Sequence, residues 1–258
     1  MKIYQVDAFT DKPFAGNPAA VCILKSNPSV QWMQDVASEM NLAETAFLLP
    51  MNDGYNLRWF TPNSEMDLCG HATLASAHIL YEKGYLQQDQ EVNFYTKSGL
   101  LKARKDHGYI QLDFPATPEE EVIAPMGLID ALNITPVYIG KNIFDYIIEV
   151  ESEEIVKSIT PDFTKLMRIP MRGVIVTAKS TEYDFVSRFF APEVGIFEDP
   201  VTGSAHCCLG VYWKKKLGES KFIAYQASKR GGILKVEVID ERVLISGKAV
   251  TVMDGNLL

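Results

Sequence analysis

No stretch of the chain approaches the ~18 uninterrupted apolar residues that a membrane span requires, and Met1 to Asp7 lacks the apolar core of a signal peptide. Both absences point to a cytoplasmic protein. Basic residues are too few and too dispersed to grip a polyanion: 25 Lys and Arg stand against 33 Asp and Glu, the formal net charge is −8, and only Lys214-Lys215-Lys216 forms a run. A nucleic-acid partner is excluded on that ground, and the lysine run suits a helix C-terminus, where cations complement the dipole. Cysteine is scarce. Four thiols (Cys22, Cys69, Cys207, Cys208), two of them adjacent, make no disulfide framework in a chain of 258 residues, so free thiols are expected. No G-x-G-x-x-G or G-x-x-x-x-G-K-[ST] loop occurs, which leaves nucleotide cofactors without a seat. Gly203-Ser204-Ala205 is not a G-x-S-x-G elbow either.

What is present is ordinary globular material: 47% hydrophobic and 22% charged residues, at a length suited to two domains. The chain also nearly repeats itself. Leu57-Arg58-Trp59-Phe60-Thr61-Pro62 leads into Glu65-Met66-Asp67-Leu68-Cys69-Gly70-His71-Ala72, and Ser187-Arg188-Phe189-Phe190-Ala191-Pro192 leads into Glu198-Asp199-Pro200-Val201-Thr202-Gly203-Ser204-Ala205. In each copy an aromatic, strand-like run ends at a proline, crosses an acidic loop and enters an Ala-rich segment just after a glycine. Helices that open in this way present free backbone N–H groups to an anion, so two such loops facing each other would form a carboxylate-binding cleft.

Alternation predicts strands over Lys2 to Thr10 and Ala19 to Leu24, then a helix capped by Ser29 and a strand from Glu44 to Leu49 stopped by Pro50. A strand from Tyr55 to Phe60, a helix from Gly70 to Tyr81 closed at Gly84, and a pair of strands between Val92 and Phe114 complete an α+β half. The apolar pattern lapses over Pro115 to Pro125, which sets domain boundaries at 1–117 and 118–258. The second half repeats the recipe with a helix around Pro161 to Met167, strands at Gly173 to Ala178 and Tyr183 to Phe190, and a helix from Gly203 to Leu217. The central helix of each half carries few charges, which implies burial inside its own curved sheet.

Several residues are candidates for chemistry. Glu44 stands among Asn41, Leu42, Ala43 and an apolar strand, as a carboxylate at an uncharged edge; on the residues alone a solvated strand-end glutamate is the competing reading. His71 and Ser204 occupy matching places directly after Gly70 and Gly203, where side chain and backbone N–H groups can reach one ligand, although each is also a normal first-turn residue. Asp199 can meet a ligand proton or merely fix its loop, and Asn17 after Gly16 offers a turn amide. Cys69-Gly70-His71 and His206-Cys207-Cys208 have the wrong spacing for a metal site, since neighbouring residues on a helix point to different sides.

The opening Val6-Asp7-Ala8-Phe9-Thr10 through Phe14-Ala15-Gly16-Asn17-Pro18-Ala19-Ala20-Val21, with Asn41-Leu42-Ala43-Glu44-Thr45-Ala46-Phe47, Cys69-Gly70-His71-Ala72-Thr73 and the Glu198 to Ala205 loop, resembles the PhzF-like family of phenazine-biosynthesis isomerases, end to end. The resemblance implies the diaminopimelate-epimerase-like fold, two similar domains each with a sheet around a central helix, a cleft between them, a homodimer and no cofactor. It places the family's catalytic glutamate on Glu44, its substrate-contacting Gly-His pair on Gly70 and His71, and its second-domain aspartate and serine on Asp199 and Ser204. The related racemases use one thiol from each domain. Cys69 stands at the first of those places, but the second falls on or beside Asp199-Pro200, which disfavours a two-thiol racemase. The implied activity is a cofactor-independent isomerase that shifts a proton on a small carboxylate-bearing substrate. A racemase or epimerase using Cys69 with a different partner, and a small-acid binding protein without catalysis, are the alternatives.

Overall fold

The computed structural model describes residues 1–258, which divide into two compact units, residues 1–114 with 244–258 and residues 115–243. The second domain therefore does not run to the C-terminus as 118–258. The last strand pairs antiparallel with the first, Ala8 opposite Ala249 and Lys2 opposite Asn256, and backbone pairing along a whole strand returns the chain end to the first unit.

The first unit runs β1 (Lys2–Ala8), β2 (Asn17–Ile23), α1 (Val30–Met40), β3 (Glu44–Met51), β4 (Gly54–Phe60), β5 (Glu65–Met66), α2 (Gly70–Glu82), β6 (Val92–Thr96), β7 (Gly99–Asp106) and β8 (Tyr109–Pro115). The second runs β9 (Glu120–Glu121), α3 (Leu128–Leu132), β10 (Tyr138–Lys141), β11 (Asp145–Glu149), α4 (Glu153–Ser158), α5 (Phe163–Leu166), β12 (Gly173–Lys179), β13 (Phe185–Phe190), α6 (Gly203–Leu217), β14 (Lys221–Gln226) and β15 (Gly232–Ile239). Strand β16 (Arg242–Gly247) carries the chain back towards β17 (Ala249–Asn256).

Pairing shows the duplication directly. In the first unit β1 and β2 are antiparallel, β2 and β3 parallel across α1, β3 and β4 antiparallel, β4 and β6 parallel across α2, and β6 and β7 antiparallel. In the second, β10 and β11 are antiparallel, β11 and β12 parallel across α4 and α5, β12 and β13 antiparallel, β13 and β14 parallel across α6, and β14 and β15 antiparallel. The order and sense of the strands are the same. Parallel neighbours need a crossover, and a helix supplies it each time.

Helices α2 and α6 are buried on nearly every side, His71 to Ala77 and Ala205 to Gly210 without interruption, which explains sequences that are apolar all round. Helix α2 packs against β1, β2, β3 and β17, and α6 against β15. Gly210 makes the second approach feasible, because a Cβ there would stand 2.8 Å from Val236 Cγ1.

Most expected elements are present, with instructive departures. Pro50 does not stop β3, which reaches Met51, since at a hairpin end a missing N–H is tolerated. Val92 to Phe114 holds three strands, the additional turn lying at Lys97-Ser98 between β6 and β7. Helices α3 and α4 and strand β11 have no counterpart in the sequence reading, being only 5, 6 and 5 residues long. Elements that short offer too few turns for periodicity to register. No helix is long and apolar enough to cross a membrane.

Candidate active site

The first unit gathers four of its predicted residues around the start of α2. Gly16 turns the chain at φ +63°, where a Cβ would stand 2.1 Å from the Ala8 carbonyl oxygen, and delivers Asn17 to the first position of β2. Glu44 opens β3, paired in parallel register with Ala19. Helix α2 begins at Gly70, and its first internal bond runs from the Thr73 N–H to the Cys69 carbonyl at 3.3 Å, so the N–H groups of Gly70, His71 and Ala72 lie ahead of the ladder.

His71 is the hub of this group. Its Nε2 stands 3.0 Å from Glu44 Oε2, its Nδ1 is 3.1 Å from Asn17 Nδ2 and 3.6 Å from Cys69 Sγ, and all four residues are buried. The Glu44 contact is close but off the hydrogen-bond axis, which leaves both atoms with bonding capacity to spare. Burial works against a charge on His71, but Cys69 and Glu44 act the other way and hold the imidazole well above its ordinary value. Of these two, the Glu44 carboxylate is the cause that stands, because burial first and then that same carboxylate push the Cys69 thiol up and keep it protonated. In the neutral ring Nε2–H faces Glu44 while Nδ1 accepts from the Asn17 amide. In the charged ring both nitrogens donate, and Asn17 must turn its carbonyl to Nδ1.

Ligand-capable atoms of Glu44, Cys69 and His71 lie within 4.8 Å of one another, a proximity that local spacing around Cys69 does not reveal. The ring nitrogens nonetheless face different partners, thiol and amide on Nδ1 and carboxylate on Nε2, and one ion binds only one of them. The arrangement suits proton movement better than ion capture.

The second unit builds a matching loop ahead of α6. The Thr202 hydroxyl donates to Asp199 Oδ2 at 2.5 Å, and the buried Gln226 amide donates to the Asp199 carbonyl at 2.7 Å and to Thr202 Oγ1 at 3.1 Å while accepting the Thr202 N–H at 2.8 Å. His206 Nδ1–H donates to the Thr202 carbonyl at 2.8 Å, and burial pushes this imidazole down to about 4, so it is neutral. Asp199, Gly203 and Ser204 thus share one loop and helix start. Ser204 has a partner the sequence did not suggest: Arg172 Nη2 donates to its Oγ at 3.2 Å. Gln226, Thr202 and Arg172 all went unrecognised. The one available signal was a single arginine between Met171 and the apolar strand from Gly173.

Both loops are tied down in the same way. Arg58 donates through Nε and Nη2 to Glu65 at 2.6 and 2.9 Å, and Arg188 does so to Glu198 at 2.6 and 3.0 Å. Each guanidinium also lies over the aromatic ring two residues on, Phe60 at 5.2 Å and Phe190 at 4.8 Å. The repeated Arg-x-Phe strand and the glutamate beyond its proline are therefore one device used twice.

Residues 6–255 match the phenazine biosynthesis-like protein family. The chain belongs to the phenazine biosynthesis-like family. It is 59% identical over 259 residues to an uncharacterized isomerase of Halalkalibacterium halodurans, covering 99% of this chain and 98% of that one. A PhzF-family crystal structure from Enterococcus faecalis superposes with a TM-score of 0.94 at 42% identity, over 98% of this chain and 97% of the other. A probable proline racemase from Agrobacterium radiobacter, crystallised with bound carbonate, shares the fold at a TM-score of 0.68 and 10% identity, over 100% and 92% of the two chains. This phenazine biosynthesis-like protein therefore has the expected α+β architecture, that of the epimerase-like isomerases.

Proposed function

We propose that this phenazine biosynthesis-like protein is a cofactor-independent isomerase that moves a proton on a small carboxylate-bearing substrate, with Glu44 as the general acid/base. The observation that carries this reading is the buried contact of Glu44 Oε2 with His71 Nε2 at 3.0 Å. A carboxylate that is out of water, faced by an imidazole and retaining hydrogen-bonding capacity can take a proton from carbon and return it elsewhere. His71 steadies the charge that Glu44 gains or loses. In the first unit the Gly70 N–H and the Asn17 amide hold and orient the substrate, its carboxylate at a helix start; in the second, the Gly203 N–H with Asp199 and Ser204 offers the same kind of anion seat. A homodimer in the cytoplasm is part of the same reading, and light scattering in solution tests the dimer.

The experiment is a screen of small carboxylic acids for solvent-deuterium incorporation, read by mass spectrometry. Wild-type protein incorporates deuterium at a carbon-bound position of the substrate, and Glu44→Gln slows this by ~10²–10⁴-fold while binding persists, since only the proton carrier is removed. Full exchange in Glu44→Gln removes the residue from the mechanism. Binding without exchange in wild type would instead indicate a small-acid binding protein. Cys69 Sγ, 3.6 Å from His71, supports a racemase as the second reading. Loss of substrate chirality with exchange, abolished in Cys69→Ser, would favour it.

A further inference from the structure

Arg172 meets Ser204 by way of a carefully held geometry. Its Nε donates to Asp145 Oδ1 at 2.8 Å and its Nη2 to Asp145 Oδ2, so the guanidinium is forked onto a carboxylate whose side chain is 0% exposed. The same guanidinium lies over the rings of Phe144 at 4.8 Å and Phe189 at 5.7 Å. Two coordinates of the side chain are thus fixed, its plane by the fork and its face by the rings. The second Nη2 hydrogen goes to Ser204 Oγ at 3.2 Å. A serine hydroxyl has one O–H and two acceptor lone pairs, and one that accepts from a cation turns its O–H away from that donor, which leaves the hydrogen directed to the other side and available to donate there.

We infer that Arg172, held by Asp145, orients Ser204 as a hydrogen-bond donor and so favours an anionic carboxylate over its neutral amide. The inference rests on the carboxylate reading above and adds to it the residue that sets charge preference. Arg172 is here a positioning residue, acting through Ser204. Neutral substrates of the same shape lose twice, since they offer a weaker acceptor to the hydroxyl and gain nothing from the cation behind it.

Benzoate and benzamide, planar and nearly isosteric but differing in charge, are the probes, measured by calorimetric titration against wild type, Arg172→Met, Ser204→Ala and the double variant. Wild type prefers benzoate. Arg172→Met weakens benzoate by about tenfold, leaves benzamide within about twofold, and changes benzoate by no more than about twofold when Ser204 is already Ala. Equal losses for both probes, or the same tenfold loss in the Ser204→Ala background, overturn the inference. Should Arg172→Met fail to fold by thermal melting, Arg172→Lys serves instead, because one ammonium cannot fork Asp145 and reach Ser204 together. It must show the same coupling to Ser204. Failure of benzoate to outbind benzamide in wild type while another carboxylate drives deuterium exchange refutes the charge-selection role but spares the isomerase reading; absence of carboxylate binding of any kind refutes both.

Discussion

Acidification of the second unit tests the burial of His206 quantitatively. The imidazole is 0% exposed, donates Nδ1–H to the Thr202 carbonyl at 2.8 Å and stacks on Phe185 at a centroid distance of 6.0 Å. Burial is the leading cause that lowers it from 6.5 to about 4, with the Thr202 bond opposing. Between those two values the unfolded chain binds a proton that the folded chain refuses, so stability falls as pH falls, from about 6.5 down to about 4, and levels off below. At 1.36 kcal/mol per unit the loss from this single group amounts to roughly 3 kcal/mol. Burial lowers His78 also and adds a slope of the same sign, so the decisive quantity is a difference between variants. His206→Asn keeps a donor near the Nδ1 position and cannot titrate. Urea unfolding from pH 7 to pH 4 should show wild type losing about 3 kcal/mol more than the variant over this range, whatever their absolute stabilities. Parallel curves for the two proteins would show that His206 does not carry the acid sensitivity.

Other perturbations follow from contacts already described. Gly16→Ala places a Cβ 2.1 Å from the Ala8 carbonyl at φ +63° and should cost more than about 2 kcal/mol in urea unfolding while displacing Asn17. Arg188→Met should destabilise by about 3–5 kcal/mol, because Arg188 also donates to the Ile159 carbonyl at 2.6 Å and its loss strands Glu198. Arg58→Met should cost only about 1–2 kcal/mol, since Lys97 remains 2.6 Å from Glu65; equal losses in the two variants would contradict the compensation. Dialysis against a strong chelator should alter neither deuterium exchange nor melting temperature, given the divided loyalties of the His71 nitrogens, and stoichiometric zinc lost together with activity would reverse that conclusion.

The duplication, the two buried helices and the loops that precede them are readable from the order of residues alone. Those features are local and strong. Gly70 to Tyr81 and Gly203 to Trp213 are long segments without a charged residue, each opened by a glycine, and an Arg-x-Phe strand precedes each, its arginine 12 residues before Gly70 and 15 before Gly203. Glu44, His71, Asp199 and Ser204 stand out at element boundaries, where polar residues adjoin apolar runs, but the residues alone left each with a purely structural reading beside the chemical one, and the family resemblance singled them out. The remaining features depend on how the chain packs. That β17 returns to pair with β1 depends on backbone bonds between residues some 250 positions apart, which leave no local pattern. The Glu44–His71 contact joins positions 27 residues apart, and Arg172 reaches Asp145 and Ser204 across gaps of 27 and 32. A polar contact of this kind constrains two residue types but not the chain between them, so periodicity cannot disclose it. The protonation of Cys69, His71 and His206 belongs with these, because burial and the charges brought near by folding decide it, and both are properties of the packed chain.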